Sequence, residues 1–163
     1  MPDNKNIILI HGVVNPSLLD MLKERGEANF YILEGRPTLT AANVLSKELN
    51  KRQITPTLIA DNMAGFLFKR NLLKEVWLAC QTEEDEGAVC VIGSLILGVL
   101  GKRHGVPVYT YPASAKGKMM GKQTDILSFN GVRVAPKGIK GYVPLAEWVP
   151  ARYISKAHGN GKY

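Results

Sequence analysis

Five short apolar runs divide this chain: Asn6–His11 (NIILIH), Phe30–Leu33, Pro56–Ala60, Glu75–Ala79 (EVWLA) and Val108–Tyr111. Each is too short for a buried helix and is rich in β-branched or aromatic residues, so each reads as a strand. The intervals carry helical patterns. Asn15-Pro16 supplies an N-cap and a first helical residue for Pro16–Arg25, which sets Leu18, Leu19 and Leu22 on one face and stops at Gly26. Thr40–Lys51 follows with Ala42, Leu45 and Leu49 as its buried stripe. Asp61 stands as N-cap of a helix Asn62–Phe68 that turns Met63, Phe66 and Leu67 inward. Ala88–Arg103, apolar almost all round, reads as a helix buried on more than one side and stopped at His104-Gly105. Strands separated by such helices predict an α/β fold: a Rossmann-like, doubly wound parallel sheet with helices on both faces.

From Ala113 the rhythm changes to a Lys/Gly-rich loop (SAKGKMMGKQ), a strand Asp125–Phe129, an Asn130-Gly131 turn and an extended piece Val132–Ala135. Residues 113–163 are therefore expected to form a basic C-terminal strand and an arm that wraps onto the body, with His158–Tyr163 frayed. A length of 163 residues and an apolar content of 45% suit one domain over residues 1–163.

The formal charge of +7 is C-terminal: Met1–Pro112 balances 12 basic against 12 acidic residues, whereas Ala113–Tyr163 holds 9 basic residues against Asp125 and Glu147. Such a flank attracts anions or serves as a solvated surface, and without aromatics among the lysines it is a poor nucleic-acid platform. The start MPDNKN has no signal-peptide character, and Ala88–Leu100 falls well short of the ~20 apolar residues that cross a bilayer, so membrane insertion is not expected. Cys80, in a strand-like run, and Cys90, at the front of the long apolar run, have neither C-x-x-C spacing nor partnered histidines. They read as buried hydrophobes in a reducing cytoplasm, with no metal and no cofactor implied.

Four segments in order resemble one family. YILEGRPTLTAANVLSKEL is similar to an E-T-R-P motif and its following helix, and LIADNMA matches a D-N-M-A segment. IGSLILGVLGKRHGVPVY is similar to I-G-T-x-x-L-A-x-L-A-K-x-H-G-I-P-x-Y, and FNGVRVAPKGIKGYVPLAEWVPARYI resembles I-N-G-V-R-I-A-P-E-G-V-x-x-Y-N-P-x-F-D-V-T-P-A. The chain thus resembles, from about Ile7 to Ile154, the C-terminal half of the translation initiation factor 2B alpha/beta/delta, methylthioribose-1-phosphate isomerase and ribose-1,5-bisphosphate isomerase family.

The resemblance implies two proton-transfer residues for the isomerases, a Cys after the first strand and an Asp after the fourth. Where they read T-H-C-N-T-G, this chain has Ile10-His11-Gly12-Val13-Val14-Asn15, and glycine moves no proton. Where they read G-A-D-R, it has Ala79-Cys80-Gln81-Thr82, and a carboxamide is neither acid nor base near neutral pH. The family's Asn-Lys pair becomes Cys90-Val91, and the Gln and Arg of L-Q-G-A-R become Thr40 and Asn43. The family's N-terminal helical domain, which completes its active site, is expected to be missing as well.

The ligand-binding candidates are Gly12, Arg36, Asp61, Asn62, Gln81, Gly93 and Ser94, at the strand ends where open α/β sheets bind ligands. Asp61 either orients a ligand hydroxyl or caps its helix. Arg36 holds an anion or pairs with Glu34. Ser94 caps a helix or bonds a phosphate. His11 and Asp61 are the candidates for any residual catalysis, and His11 alone is commonly structural. Gly117-Lys118 and Gly121-Lys122 lack the Ser or Thr of a phosphate loop and leave a basic lid at most. The expectation is a catalytically degenerate module that forms a homodimer through the Rossmann-like domain and takes a phosphorylated small molecule. The alternative is a divergent aldose–ketose sugar-1-phosphate isomerase, or another enzyme, using the same pocket.

Overall fold

A computed structural model describes residues 5–25 and 28–156; the frayed end expected at His158–Tyr163 lies outside the described residues. The strands are β1 (Ile7–His11), β2 (Asn29–Leu33), β3 (Thr57–Ile59), β4 (Leu73–Glu84), β5 (Gly87–Val91) and β6 (Val108–Pro112). A small hairpin, β7 (Ser128–Phe129) and β8 (Val132–Arg133), and the last strand β9 (Ala146–Pro150) complete them. The helices are α1 (Pro16–Leu19), α2 (Ser46–Lys51), α3 (Ala64–Lys69), α4 (Ser94–His104) and α5 (Gln123–Leu127).

β1 pairs in parallel with β2 and β4, β2 with β3, and β4 with β6. Successive β1 residues serve opposite faces: Ile7 and Leu9 join the core under α3 and α4, whereas Ile8 and Ile10 join Leu18, Leu19, Leu22, Leu45 and Leu49 under α1 and α2. This two-sided burial is why the runs are continuously apolar. The α1 start is as expected, since Asn15 Oδ1 accepts the Ser17 N–H at 3.1 Å.

The sheet is mixed rather than wholly parallel. β4 runs past the point where β6 leaves it, and its far half pairs antiparallel with β5, which pairs antiparallel with β9. The expected helix Ala88–Arg103 is therefore a strand, Gly87–Val91, followed by a helix that begins at Ser94. Buried strands and buried helices share the same continuous apolarity, and Val89 and Val91 suit the pleat. Cys80 and Cys90 lie opposite each other in register, so Cys90 is a strand residue.

Three other expectations change. Asp125–Phe129 is mostly helix, because the Asp125 carboxylate accepts the Lys122 N–H at 2.8 Å and caps α5; the Asn130-Gly131 turn forms as expected between β7 and β8, with φ of 49° and 75°. A π-helical turn over Ala41–Leu45 advances the phase before α2, so Ala41, not Ala42, is buried with Leu45 and Leu49. A 3₁₀ turn over Asp61–Met63 does the same for α3, which buries Ala64, Leu67 and Phe68 and leaves Met63 54% and Phe66 62% exposed. Among the described residues no helix is long and apolar enough to cross a membrane.

Candidate functional site

A cavity of about 280 Å³ lies where β1 ends and where β6 parts from β4. Gly12 and Gln81 line it, together with the apolar side chains Val13, Ala79, Val91, Ile92 and Leu145. Gly12 turns the chain out of β1 at φ +84°, a conformation that a side chain with a Cβ resists. A Cβ there would also come within 2.8 Å of Ala79 Cβ and 3.0 Å of Val91 Cγ1, well inside ordinary contact. The position is backbone packed against side chains, with no room for a thiol as the walls stand. Gln81 is half-buried, its amide nitrogen 3.4 Å from where a Cβ on Gly117 would lie.

The charged side chains lining this cavity are Arg36, Lys116 and Lys118, without a carboxylate, thiol or imidazole among the described residues; Thr38, Thr40 and Ser114 add hydroxyls. Arg36 reaches it from the loop after β2, and the loop's shape comes from Asp61. The Asp61 carboxylate accepts the N–H groups of Gly35 at 2.9 Å and Arg36 at 2.7 Å. It is thus not the cap of its own helix: Ala60 occupies that position, without a side-chain hydrogen bond. Nor does Arg36 pair with Glu34. Its Nη1 donates to Ser128 O at 3.3 Å, and its guanidinium lies 4.8 Å from the centroid of the Phe129 ring. Glu34 is pushed above the ordinary carboxylate range by burial and by the Asp61 charge, with Arg36 opposing.

A second cavity, about 470 Å³, lies on the other side of a wall made by Arg36 and Ile92, between α3 and α4. His11, Asp61, Asn62 and Gly93 line one end, and Leu33, Ala64, Ile96, Leu97 and Leu100 make the rest apolar. His11 is buried. Its Nε2 donates to Ile92 O at 2.7 Å, leaving Nδ1 as an acceptor with no partner among the described residues. Burial holds its pKa below the usual 6.5, against the Ile92 hydrogen bond and the charges of Asp61 and Glu147.

The start of α4 is already occupied. Glu147, reaching across from β9, accepts the N–H groups of Gly93 at 2.7 Å and Leu95 at 3.0 Å with one carboxylate oxygen. Ser94 is fully buried, lines neither cavity, and neither caps the helix nor has any other partner for its hydroxyl among the described residues.

The structure thus divides the expected site residues. Gly12, Arg36 and Gln81 share the first cavity; His11, Asp61, Asn62, Gly93 and Arg36 share the second. From the sequence Gly117-Lys118 reads as part of a basic lid at most and Lys116 carries no site role, because nothing local shows that the loop after β6 folds back over β1 and β4. The role of Glu147 is not legible for a similar reason, since the carboxylate that caps α4 comes from 54 residues away from Gly93. Among the described residues no group of His, Cys, Asp or Glu converges as a metal site would require.

The fold and the position of its cavities define a Rossmann-type α/β protein with its candidate site at the carboxyl edge of the sheet. Sequence comparison resolves the class further. The chain belongs to the Initiation factor 2 subunit family, whose sequence profile matches residues 3–158. It is 31% identical over 137 residues to a methylthioribose-1-phosphate isomerase of Thermus thermophilus, covering 77% of this chain and 42% of the relative. Among solved structures, 5-methylthioribose 1-phosphate isomerase from Pyrococcus horikoshii shares the fold at a TM-score of 0.80 and 21% identity, over 92% of this chain and 48% of that one. Translation initiation factor eIF-2B subunit delta from A. fulgidus does so at 0.79 and 17%, over 91% and 50%. The chain therefore spans about half the length, or less, of these relatives. The family resemblance and the α/β fold expected from the sequence are both borne out.

Proposed function

We infer that this chain is a non-isomerising member of its family: a cytoplasmic Rossmann-like module that pairs with a second copy of itself and takes a small phosphorylated ligand in the cavity lined by Gly12 and Gln81. The observation that carries the reading is the lining of that cavity, where a closely packed glycine follows β1 and a carboxamide stands in β4 just past its pairing with β6. Proton transfer between adjacent sugar carbons needs an acid and a base in reach of the same substrate. The described lining offers three cations and neutral groups instead. Its charge supports anion binding.

Pairing is supported by exposed apolar side chains on α3, α4 and the turn before α3, namely Met63, Phe66, Ile96 and Val99, of which Ile96 also lines the apolar cavity between the helices. Light scattering that returns a monomer at every concentration tested would remove this part of the reading. The catalytic part is tested with a panel of aldose 1-phosphates: binding without conversion to the ketose is expected. Turnover that disappears in both Asp61→Asn and His11→Ala proteins of unchanged stability would establish the alternative, a divergent isomerase, which the isomerase relatives favour.

A further inference from the structure

The loop after β6 is held at both ends. Ala113 N–H donates to Cys80 O at 2.8 Å and Ser114 N–H to Val13 O at 2.8 Å, tying the start of the loop to β4 and to the turn after β1. At the far end Gly121 N–H donates to Val143 O and Leu145 N–H to Met119 O, each at 2.8 Å. Residues 115–118 therefore form a strap between two anchors, and all four line the first cavity, with Gly117 close beside the Gln81 amide. A Cβ at Gly117 would meet the Gln81 amide nitrogen at 3.4 Å, and the residues flanking Gly117 are lysines.

The other donors near the cavity have contacts of their own, although Arg36 keeps its charge. The amides at the start of α4 bind Glu147, and the Arg36 guanidinium bonds Ser128 O and covers Phe129. Lys116 and Lys118 are exposed and have no hydrogen-bond or ion-pair partner among the described residues, and no carboxylate faces them across the cavity. Two free ammonium groups at the mouth of a largely apolar cavity ask for a ligand with its charge at one end.

We propose that Lys116 and Lys118 are the anion-recognising residues of this cavity, holding the phosphate of a small phosphate monoester whose organic part lies inward against Val13, Ala79, Val91 and Leu145. This rests on the reading that the cavity takes a phosphorylated ligand. A monoester carries close to two negative charges at neutral pH, matching the two lysines. At about 280 Å³ the cavity sits at the lower edge of the ~300–1,000 Å³ range of small-molecule sites, so it takes a body of monosaccharide size rather than a dinucleotide.

The test is calorimetric titration of the chain with benzyl phosphate, inorganic phosphate and benzyl alcohol. The wild-type protein is expected to bind benzyl phosphate more tightly than inorganic phosphate, and benzyl alcohol least. Lys116→Gln/Lys118→Gln weakens benzyl phosphate by about tenfold or more, whereas Lys137→Gln/Lys140→Gln, which removes the same charge elsewhere on the basic arm, changes it by less than about twofold. Equal losses from the two double variants, or no loss from the first, overturn the assignment of the strap. Ser114→Trp, which fills the cavity from an exposed position, separates this from the underlying reading. If it abolishes binding while the strap variant does not, the cavity stands and the lysines fall. If the strap variant abolishes binding and Ser114→Trp has no effect, the lysines act on the surface and both fall. A wild-type chain that binds none of the probes overturns both as well.

Discussion

Returning the family's thiol to this chain by Gly12→Cys should damage the protein before it restores any chemistry. The backbone at position 12 has φ +84°, in the left-handed region, which costs a residue with a Cβ about 1–2 kcal/mol relative to glycine. The new Cβ would lie 2.8 Å from Ala79 Cβ and 3.0 Å from Val91 Cγ1, and crowding of that kind in a packed wall costs about 1–3 kcal/mol. The sum is roughly 2–5 kcal/mol, which for a chain of this size lowers Tm by roughly 4–20 °C.

Urea unfolding followed by far-UV circular dichroism measures it directly. Ala79→Gly identifies the cause: the double variant Gly12→Cys/Ala79→Gly should be less destabilised than the two single changes added together, by about 1 kcal/mol, because the closest contact has gone. The variant Gly12→Cys/Gln81→Asp should not isomerise aldose 1-phosphates. A Gly12→Cys protein within about 0.5 kcal/mol of wild type would refute the packing argument, since surface changes produce that much. Turnover by the Gly12→Cys/Gln81→Asp protein would show that the site lacks only two side chains and is otherwise built for the reaction.

Further outcomes follow from the surroundings of the site. Glu147→Ala strips the carboxylate from two amides at the start of α4 and should cost about 1–3 kcal/mol in urea unfolding, with Glu147→Gln costing less because an acceptor oxygen remains. His11 is held neutral by burial, so the unfolded chain binds its proton first as pH falls through 6.5. Stability contributed by His11 is complete above that pH and is lost below it, at up to about 1.4 kcal/mol per pH unit, and His11→Gln should remove this slope from unfolding curves between about pH 7.5 and 5.5. Burial pushes the Cys80 and Cys90 thiols up to about 11 and about 12, so Ellman's reagent at neutral pH should react with both only after denaturant unfolds the chain.

The parts of the fold that the sequence disclosed are those whose cause is local. Ile7–His11 and Asn29–Leu33 are legible because a parallel strand buried on both sides must be apolar at successive positions, and Asn15-Pro16 is legible because a cap and a fixed φ act on the next turn alone. Phase was lost wherever a helix begins in another geometry: the π-helical turn at Ala41–Leu45 and the 3₁₀ turn at Asp61–Met63 each rotate the buried face relative to an ideal 3.6-residue period. β5 was hidden because a second partner, β9, buries it and erases the alternation of an edge strand. Asp61 shows the same limit at the site. An aspartate before a helix is a cap by every local criterion, yet its oxygens find the amides of Gly35 and Arg36, which only the sheet brings close.

Gly12 and Gln81, the two positions singled out in the sequence, share their cavity with the strap. A site that had merely lost its catalytic groups would keep its anion contacts on the strand ends, where the helix start and the β2 loop present them. Here the helix start is filled by Glu147 and the guanidinium on the β2 loop is drawn toward Phe129, while unpaired charge stands on the loop from β6. Charge on a strap meets whatever protrudes from the cavity mouth, whereas charge on the strand ends meets a ligand at its reacting atoms. If the cavity takes a phosphorylated molecule as proposed, charge so placed holds it by its exposed end: removing the lysines should weaken binding, and restoring a thiol at Gly12 should gain nothing.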